Sequence, residues 1–136
     1  MVKLKCMLLW ISVLMFIQMA QANTIEFTKK VDFDVGNEHA TEYGFVKGHN
    51  KTNYQFYGNK GDKVSIRLES VGAYFKLYSP IKRGVDAPLF TIKAEGTSYT
   101  GILSKSGLYT IEIYLRHKES REDEKVIYTL HIDRTH

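Results

Sequence analysis

The segment Ser106-Gly107-Leu108-Tyr109-Thr110-Ile111-Glu112-Ile113-Tyr114-Leu115-Arg116 decides the fold of this chain. From Tyr109 to Leu115 every second residue is large and apolar, and the residues between them are polar or amphipathic. Because successive side chains of a β-strand point to opposite faces, this period of two predicts a strand with one buried face. The Ser-Gly pair before it is typical of a turn that opens a strand.

The same alternation recurs along the chain. Residues 64–68 and 128–133 show it clearly, and Gly, Asn, Asp and Pro residues separate the segments as turns. The remaining predicted strands are residues 25–27, 43–47, 53–57, 74–78, 89–93 and 98–103. No window of a dozen residues keeps the period of an α-helix. The sequence therefore predicts an all-β protein, an antiparallel β-sandwich of about eight or nine short strands.

The N-terminal residues 1–22 differ from the rest of the chain. Lys3 and Lys5 precede an apolar run that ends at Ile17, and Ala20-Gln21-Ala22 supplies small residues for cleavage. This arrangement is typical of a secretory signal peptide, and the run is too short to span a membrane comfortably. We therefore expect a signal peptide over residues 1–22, cleaved after Ala22, and a single domain over residues 23–136.

The composition excludes several functions. The 136 residues carry 19 Lys and Arg against 15 Asp and Glu, and loss of the signal peptide removes two lysines, which lowers the net charge from +4 to +2. Nucleic-acid binding needs a more concentrated basic face, and no second apolar stretch predicts membrane insertion. The only cysteine, Cys6, lies in the signal peptide, so disulfides and thiolate sites are excluded. Secretion without disulfides favours a bacterial periplasm.

No catalytic motif is present in the sequence. The five histidines form no H-x-x-x-H or H-x-H pair, and neither a phosphate-binding glycine loop nor a G-x-S-x-G segment occurs. A metal site built from His39, His49 and an acidic residue stays open, because metal ligands need not be close in sequence. We expect no enzyme activity, no cofactor and no metal, and a protein that binds through its loops.

Three polar segments are candidates for such binding: residues 106–109, residues 116–124, and the loop of residues 80–88 with Lys82 and Arg83. Ser106-Gly107 also fits a structural role as a turn, with Tyr109 as the first core residue of the strand. The charged residues 117–124 also fit a solvated hairpin tip.

Several segments, taken in their order and spacing, resemble the bacterial periplasmic lysozyme inhibitors directed at invertebrate-type and goose-type (g-type) lysozymes. They are residues 45–48, 54–56, 61–64, 72–75, 101–103, 106–116 and 128–130. The resemblance covers most of the chain after the signal peptide. It implies a periplasmic β-sandwich whose polar loops plug the cleft of lysozyme and so protect peptidoglycan, with no enzyme activity and no cofactor.

The resemblance also implies contact residues. The S-G-x-Y motif of the invertebrate-type inhibitors corresponds to Ser106, Gly107 and Tyr109. Goose-type inhibitors use arginines in the last hairpin, which points to Arg121 and, one residue from a family position, to Arg116. The tip departs from the family because it carries acids that an acidic cleft would repel, namely Glu119, Glu122, Asp123 and Glu124. Both lysozyme classes stay open as the target.

Two alternatives remain. Gly61-Asp62-Lys63-Val64 and the S-G-x-Y motif also resemble the pre-peptidase C-terminal domain, which implies a stand-alone accessory β-sandwich that binds a polysaccharide or envelope component. The scattered histidines and acids are compatible with a periplasmic metal-binding or envelope-stress binding protein. For the lysozyme-inhibitor interpretation, an edge strand such as residues 25–27 would allow a homodimer.

Overall fold

The computed structural model describes residues 24–33, 38–80, 91–116 and 124–136. The strands in these ranges are β1 (Glu26–Lys30), β2 (His39–Lys47), β3 (Lys51–Gly58), β4 (Lys63–Ser70), β5 (Ala73–Ser79), β6 (Thr91–Gly96), β7 (Ser98–Ile102), β8 (Gly107–Leu115) and β9 (Lys125–Thr135). Each of the nine predicted strands is confirmed, several with longer or shifted bounds. The predicted signal peptide, residues 81–88 and most of the last hairpin tip lie outside the described residues. In the described part, no helix is able to cross a membrane.

The strands form the two packed sheets of the predicted sandwich. One sheet has five strands in the order β1-β3-β8-β5-β6, and the other has four in the order β2-β9-β4-β7. One pairing departs from the antiparallel prediction, because β1 runs parallel to β3, with Phe27 beside Thr52. A parallel pair needs a crossover connection, and here the chain passes through β2 in the opposite sheet before it returns as β3.

The core lies between the sheets and is built from alternate residues of each strand. On β8 the buried apolar set is the predicted one, namely Tyr109, Ile111, Ile113 and Leu115, and Glu112 is buried as well. Full burial of such a side chain contributes about 1.5–3 kcal/mol. Because β8 pairs with β3 on one side and with β5 on the other, its buried face lies near the middle of its sheet.

Polar groups also bridge the two sheets near β1 and β2. Glu42 points inward from β2 and is only 6% exposed. The Lys29 ammonium donates a hydrogen bond to its carboxylate at 2.6 Å, and this bond raises the pKa of Lys29. The hydroxyls of Tyr54 and Tyr128 are hydrogen-bonded at 2.7 Å, and a Cβ at Gly44 would lie 2.5 Å from the Tyr128 hydroxyl. These groups therefore have partners within the protein.

Candidate functional site

The predicted site residues lie at opposite ends of the sandwich. Ser106 precedes β8 and Arg116 follows it, and nine strand residues span about 30 Å. We call the end formed by residues 59–62 and 103–106 the serine end. We call the end formed by the turns at residues 48–50 and 71–72, together with Arg116, the arginine end. One cleft cannot receive both ends at the same time.

At the serine end, the Ser-Gly pair joins neighbouring segments. Ser106 is exposed, and its hydroxyl accepts a hydrogen bond from the Lys60 backbone N–H at 2.8 Å. Gly107 has a φ of +148°, and a Cβ there would lie 2.7 Å from the Cβ of Pro80. A side chain at this position is therefore excluded by both the backbone conformation and the space available.

Tyr109 is a core residue. It is 0% exposed, and its ring stacks on Phe56 with the centroids 5.6 Å apart. Its hydroxyl donates a hydrogen bond to the backbone carbonyl of Lys105 at 2.7 Å, and burial raises the pKa of Tyr109. The expectation from the S-G-x-Y motif, that Tyr109 contacts lysozyme, stays a prediction. The alternative of a first core residue fits, and Tyr109 supports residues 103–106 from beneath.

Charged groups next to the serine end are paired within the chain. Asp62 is 4% exposed, accepts the Asn59 backbone N–H at 2.9 Å and contacts His136 at 2.8 Å. Burial alone would raise the pKa of Asp62, but these two partners and the charge of Arg134 together outweigh it and hold the pKa below its usual range. Glu38 binds Arg134 at 2.6 Å and His136 at 3.3 Å. Sequence reasoning missed this network because its members are as many as 98 positions apart.

At the arginine end, Arg116 has no acidic partner among the described residues. Its side chain is exposed, and the guanidinium carbon lies 3.7 Å from the centre of the Tyr74 ring. The ion pairs of the described part involve other residues, for example Lys51 with Glu112 at 3.4 Å. The exposed guanidinium of Arg116 thus places a positive charge at this end of the sandwich.

Arg121 lies outside the described residues, as do Glu119, Glu122 and Asp123, so its role as a lysozyme contact stays a prediction. Glu124 is described and is exposed.

An apolar patch adjoins the arginine end on the outer face of the four-stranded sheet. Tyr43 is 78% exposed, Ile127 74%, and Val71 fully exposed. The three side chains line an open pocket of about 560 Å³. Exposed apolar groups that cluster in this way often mark protein interfaces. The sequence placed Tyr43 in a predicted strand without assigning its face, and only the pairing of β2 with β9 brings it near Ile127.

The histidines considered as metal ligands are not brought together. His39 begins β2 and His49 lies in the turn that follows this strand. His39 contacts Asp133 at 2.6 Å and Thr41 at 2.9 Å. Within the described ranges, no group of three or more His, Cys, Asp or Glu residues is arranged to hold a metal ion.

The architecture defines a class of protein, a small β-sandwich with polar turns at both ends and an exposed arginine, Arg116, at one rim. The chain is 27% identical over 103 residues to the inhibitor of g-type lysozyme of Escherichia coli K12, a match that covers 75% of this chain and 77% of the relative. No protein-family model matches the chain. The sequence similarity agrees with the resemblance drawn from the motifs.

Solved structures give the same result for the fold. The crystal structure of Aeromonas hydrophila PliG, a periplasmic inhibitor of g-type lysozyme, aligns with a TM-score of 0.71 at 22% identity, over 83% of this chain and all of that one. The Salmonella Typhimurium PliG structure aligns with a TM-score of 0.63 at 25% identity, over 80% of this chain and 98% of that one. The resemblance to periplasmic lysozyme inhibitors is confirmed, and these named relatives are of the goose-type class.

The alternative resemblance has support from the fold alone. The pre-peptidase C-terminal domain of a Bacillus anthracis collagenase aligns with a TM-score of 0.50 at 14% identity, over 83% of this chain and 99% of that domain. This likeness extends to the β-sandwich and carries no information about a shared ligand.

Proposed function

We propose that this protein is a periplasmic inhibitor of goose-type lysozyme that protects peptidoglycan by binding the enzyme. The observation that carries the proposal is the sequence similarity to the Escherichia coli inhibitor, which extends over three quarters of the chain. The goose-type class is preferred over the invertebrate-type class because the named relatives inhibit goose-type lysozyme. Binding, and no chemical step on a substrate, is the activity proposed.

The proposed contact surface is the arginine end. A glycosidase cleft contains carboxyl groups, and a guanidinium binds a carboxylate through paired, charge-assisted hydrogen bonds. Arg116 is exposed and has no such partner among the described residues. We include Arg121 in the proposed contact surface because it follows Arg116 in the segment between β8 and β9.

The apolar patch of Val71, Tyr43 and Ile127 extends this surface. Protein interfaces combine a buried apolar centre with a few arginine or aromatic anchors, which supply most of the binding free energy. Val71 lies in the turn between β4 and β5, and β5 pairs with the last residues of β8. The patch and Arg116 therefore lie at the same end of the sandwich, the patch on the outer face of the four-stranded sheet and the guanidinium over Tyr74 on that of the five-stranded sheet.

The proposed mechanism is occlusion of the cleft together with neutralisation of its acid. A lysozyme needs one carboxyl group in its protonated form as the general acid. A guanidinium hydrogen-bonded to that group favours the ionised form, which has no proton to donate. Because the bound inhibitor would also fill the space of the polysaccharide, inhibition should be competitive.

The serine end is the second candidate surface, with Ser106 and Gly107 as its contacts and invertebrate-type lysozyme as its target. The exposed side chains of Lys60 and Lys105 beside Ser106 favour it, because they add positive charge at that end. Tyr109 would then act only through the carbonyl of Lys105.

An inhibition panel tests the function. The protein, produced by secretion from its full-length sequence, is titrated into goose-type, invertebrate-type and chicken-type lysozymes, and lysis of cell walls is followed by turbidity. We expect stoichiometric inhibition of the goose-type enzyme alone. Inhibition of the invertebrate-type enzyme alone would favour the serine end, and no inhibition of any class would contradict the proposal.

A further inference from the structure

A pair of tyrosines and two cations alternate on the outer face of the five-stranded sheet. Tyr74 on β5 pairs directly with Tyr114 on β8, and their ring centroids are 6.4 Å apart. The Arg116 guanidinium lies 3.7 Å from the Tyr74 centroid, and the Lys76 ammonium lies 4.9 Å from the Tyr114 centroid. Both distances are within the range of cation–π attraction.

The tyrosine pair is fixed to the sheet. The Tyr114 hydroxyl donates a hydrogen bond to the Glu95 carboxylate on β6. Burial and this bond raise the pKa of Tyr114 to about 12, although Arg116 acts in the opposite direction, so the hydroxyl stays protonated at neutral pH. Tyr74 is itself half-buried between β8 and β6. Arg116 therefore rests on rigid strand residues.

This support matters because an exposed arginine on a hairpin must be ordered when it binds. Ordering a long side chain opposes association, and a side chain held beforehand in its bound orientation avoids that loss. A carboxylate could also hold Arg116, but it would neutralise the charge that a partner needs. An aromatic ring holds the guanidinium plane without neutralising its charge.

We propose that Tyr74 is a positioning residue that holds Arg116 at the arginine end in the orientation that meets a carboxylate of lysozyme. This inference rests on the proposed function for its partner, but the contact between Tyr74 and Arg116 is a property of the inhibitor by itself. Tyr74 touches the guanidinium and acts through it. The relevant part of Tyr74 is the ring, and its hydroxyl is dispensable.

A double-mutant cycle tests the positioning role. Tyr74→Leu should weaken inhibition of goose-type lysozyme about five-fold, as expected for loss of one cation–π contact. Tyr74→Phe keeps the ring and should inhibit like the wild type. Tyr78→Leu, which removes a ring from the same face of β5 nearer the serine end, is the matched control and should change little. In the Arg116→Ala background, Tyr74→Leu should have no further effect.

Equal weakening by Tyr74→Leu in both backgrounds would overturn the proposal, because it would show a role independent of Arg116. If Tyr74→Phe weakens inhibition as much as Tyr74→Leu does, the proposal is overturned as well, because the hydroxyl and not the ring would then be responsible for the effect of Tyr74 on inhibition.

An NMR measurement separates this inference from the proposed function. The Arg116 δ-protons should show an upfield ring-current shift in the wild type and in Tyr74→Phe, and should lose it in Tyr74→Leu. Random-coil shifts for Arg116 in the wild type would overturn the positioning role whatever the lysozyme panel shows. If the wild type shows the ring-current shift but does not inhibit goose-type lysozyme, the lysozyme part of the proposal is overturned. The contact between Tyr74 and Arg116 then still stands.

Discussion

Ser106 and Arg116 flank the same strand and lie at opposite ends of the sandwich, about 30 Å apart. Two surfaces are therefore separate. One carries the S-G-x-Y motif of the invertebrate-type inhibitors, and the other carries Arg116, which lies one residue from an arginine position of the goose-type inhibitors. Substitutions at the two ends should have separable effects, because no hydrogen bond or ion pair among the described residues joins Ser106 to Arg116. This separation makes the proposed assignment testable with single variants.

Ser106→Ala should cost stability and leave inhibition of goose-type lysozyme unchanged. The substitution removes the acceptor of the Lys60 N–H at 2.8 Å, and we expect a loss of about 1 kcal/mol in the free energy of unfolding. Urea unfolding gives the stability, and the turbidity assay gives inhibition. Intact stability with lost inhibition of goose-type lysozyme would place the contact at the serine end instead.

Tyr109→Phe should lower stability by about 1 kcal/mol, because the Lys105 carbonyl loses its donor. Tyr109→Ala should lower it by about 3–5 kcal/mol, since it opens a cavity beside Phe56. Urea unfolding measures both. Inhibition by the folded Tyr109→Phe variant should equal that of the wild type, and a selective loss of inhibition would show that Tyr109 acts at the surface after all.

The hydrogen bond between Tyr54 and Tyr128 should appear as a coupling energy. Tyr54→Phe and Tyr128→Phe should each destabilise by about 1–2 kcal/mol, because each leaves the other buried hydroxyl without its partner. The double variant should lose less than the sum of the two, by about 1 kcal/mol. Strict additivity in urea unfolding would show that the two hydroxyls do not interact.

The charge network around His136 should make stability depend on pH. The hydrogen bond to Asp62, with Glu38 nearby, raises the pKa of His136 above 6.5, so its contribution is full below pH 6.5 and is lost as the pH rises through the raised value. Arg134 and His136 lower the pKa of Glu38 below 4.5, so that contribution is full above pH 4.5 and is lost in acid.

The network should therefore stabilise most between pH 4.5 and 6.5. The difference in Tm between the wild type and His136→Ala should be largest in this window and should shrink toward pH 9. Thr135→Ala, at the neighbouring exposed position, is the control and should show no such profile. A Tm difference for His136→Ala that is constant with pH would rule out the titration account.

The sequence predicted the fold well because burial in a sandwich follows the period of two. Ile111 and Ile113 on β8 were assigned to the buried face by alternation alone, and both are 0% exposed. The parallel pairing of β1 with β3 was not predicted, because a strand pattern does not specify which neighbour a strand pairs with. The inward position of Glu42 was not predicted either. The Lys29 ammonium compensates for the burial of its carboxylate, and Lys29 lies in the other sheet, so the strand pattern of β2 does not reveal this partner.

The candidate site was predicted less completely. The alternation predicted Tyr109 as a core residue, and its burial agrees with that prediction, whereas the contact implied by the S-G-x-Y resemblance stays a prediction. The separation of Ser106 from Arg116 was implicit in the predicted strand between them, because an extended segment of that length holds its ends apart. The stacking of Arg116 on Tyr74 depends on the register of β5 against β8, and no sequence pattern specifies that register.

The most direct test of the central claim is a comparison of inhibition constants for the wild type, Arg116→Ala, Arg116→Lys and Lys105→Ala against goose-type lysozyme. Arg116 and Lys105 are exposed cations at opposite ends of the sandwich, so the last variant controls for the loss of one positive charge. We expect Arg116→Ala to weaken inhibition about ten-fold or more, Arg116→Lys to recover part of it, and Lys105→Ala to inhibit like the wild type. Full inhibition by Arg116→Ala with loss of inhibition in Lys105→Ala would contradict the assignment of the arginine end.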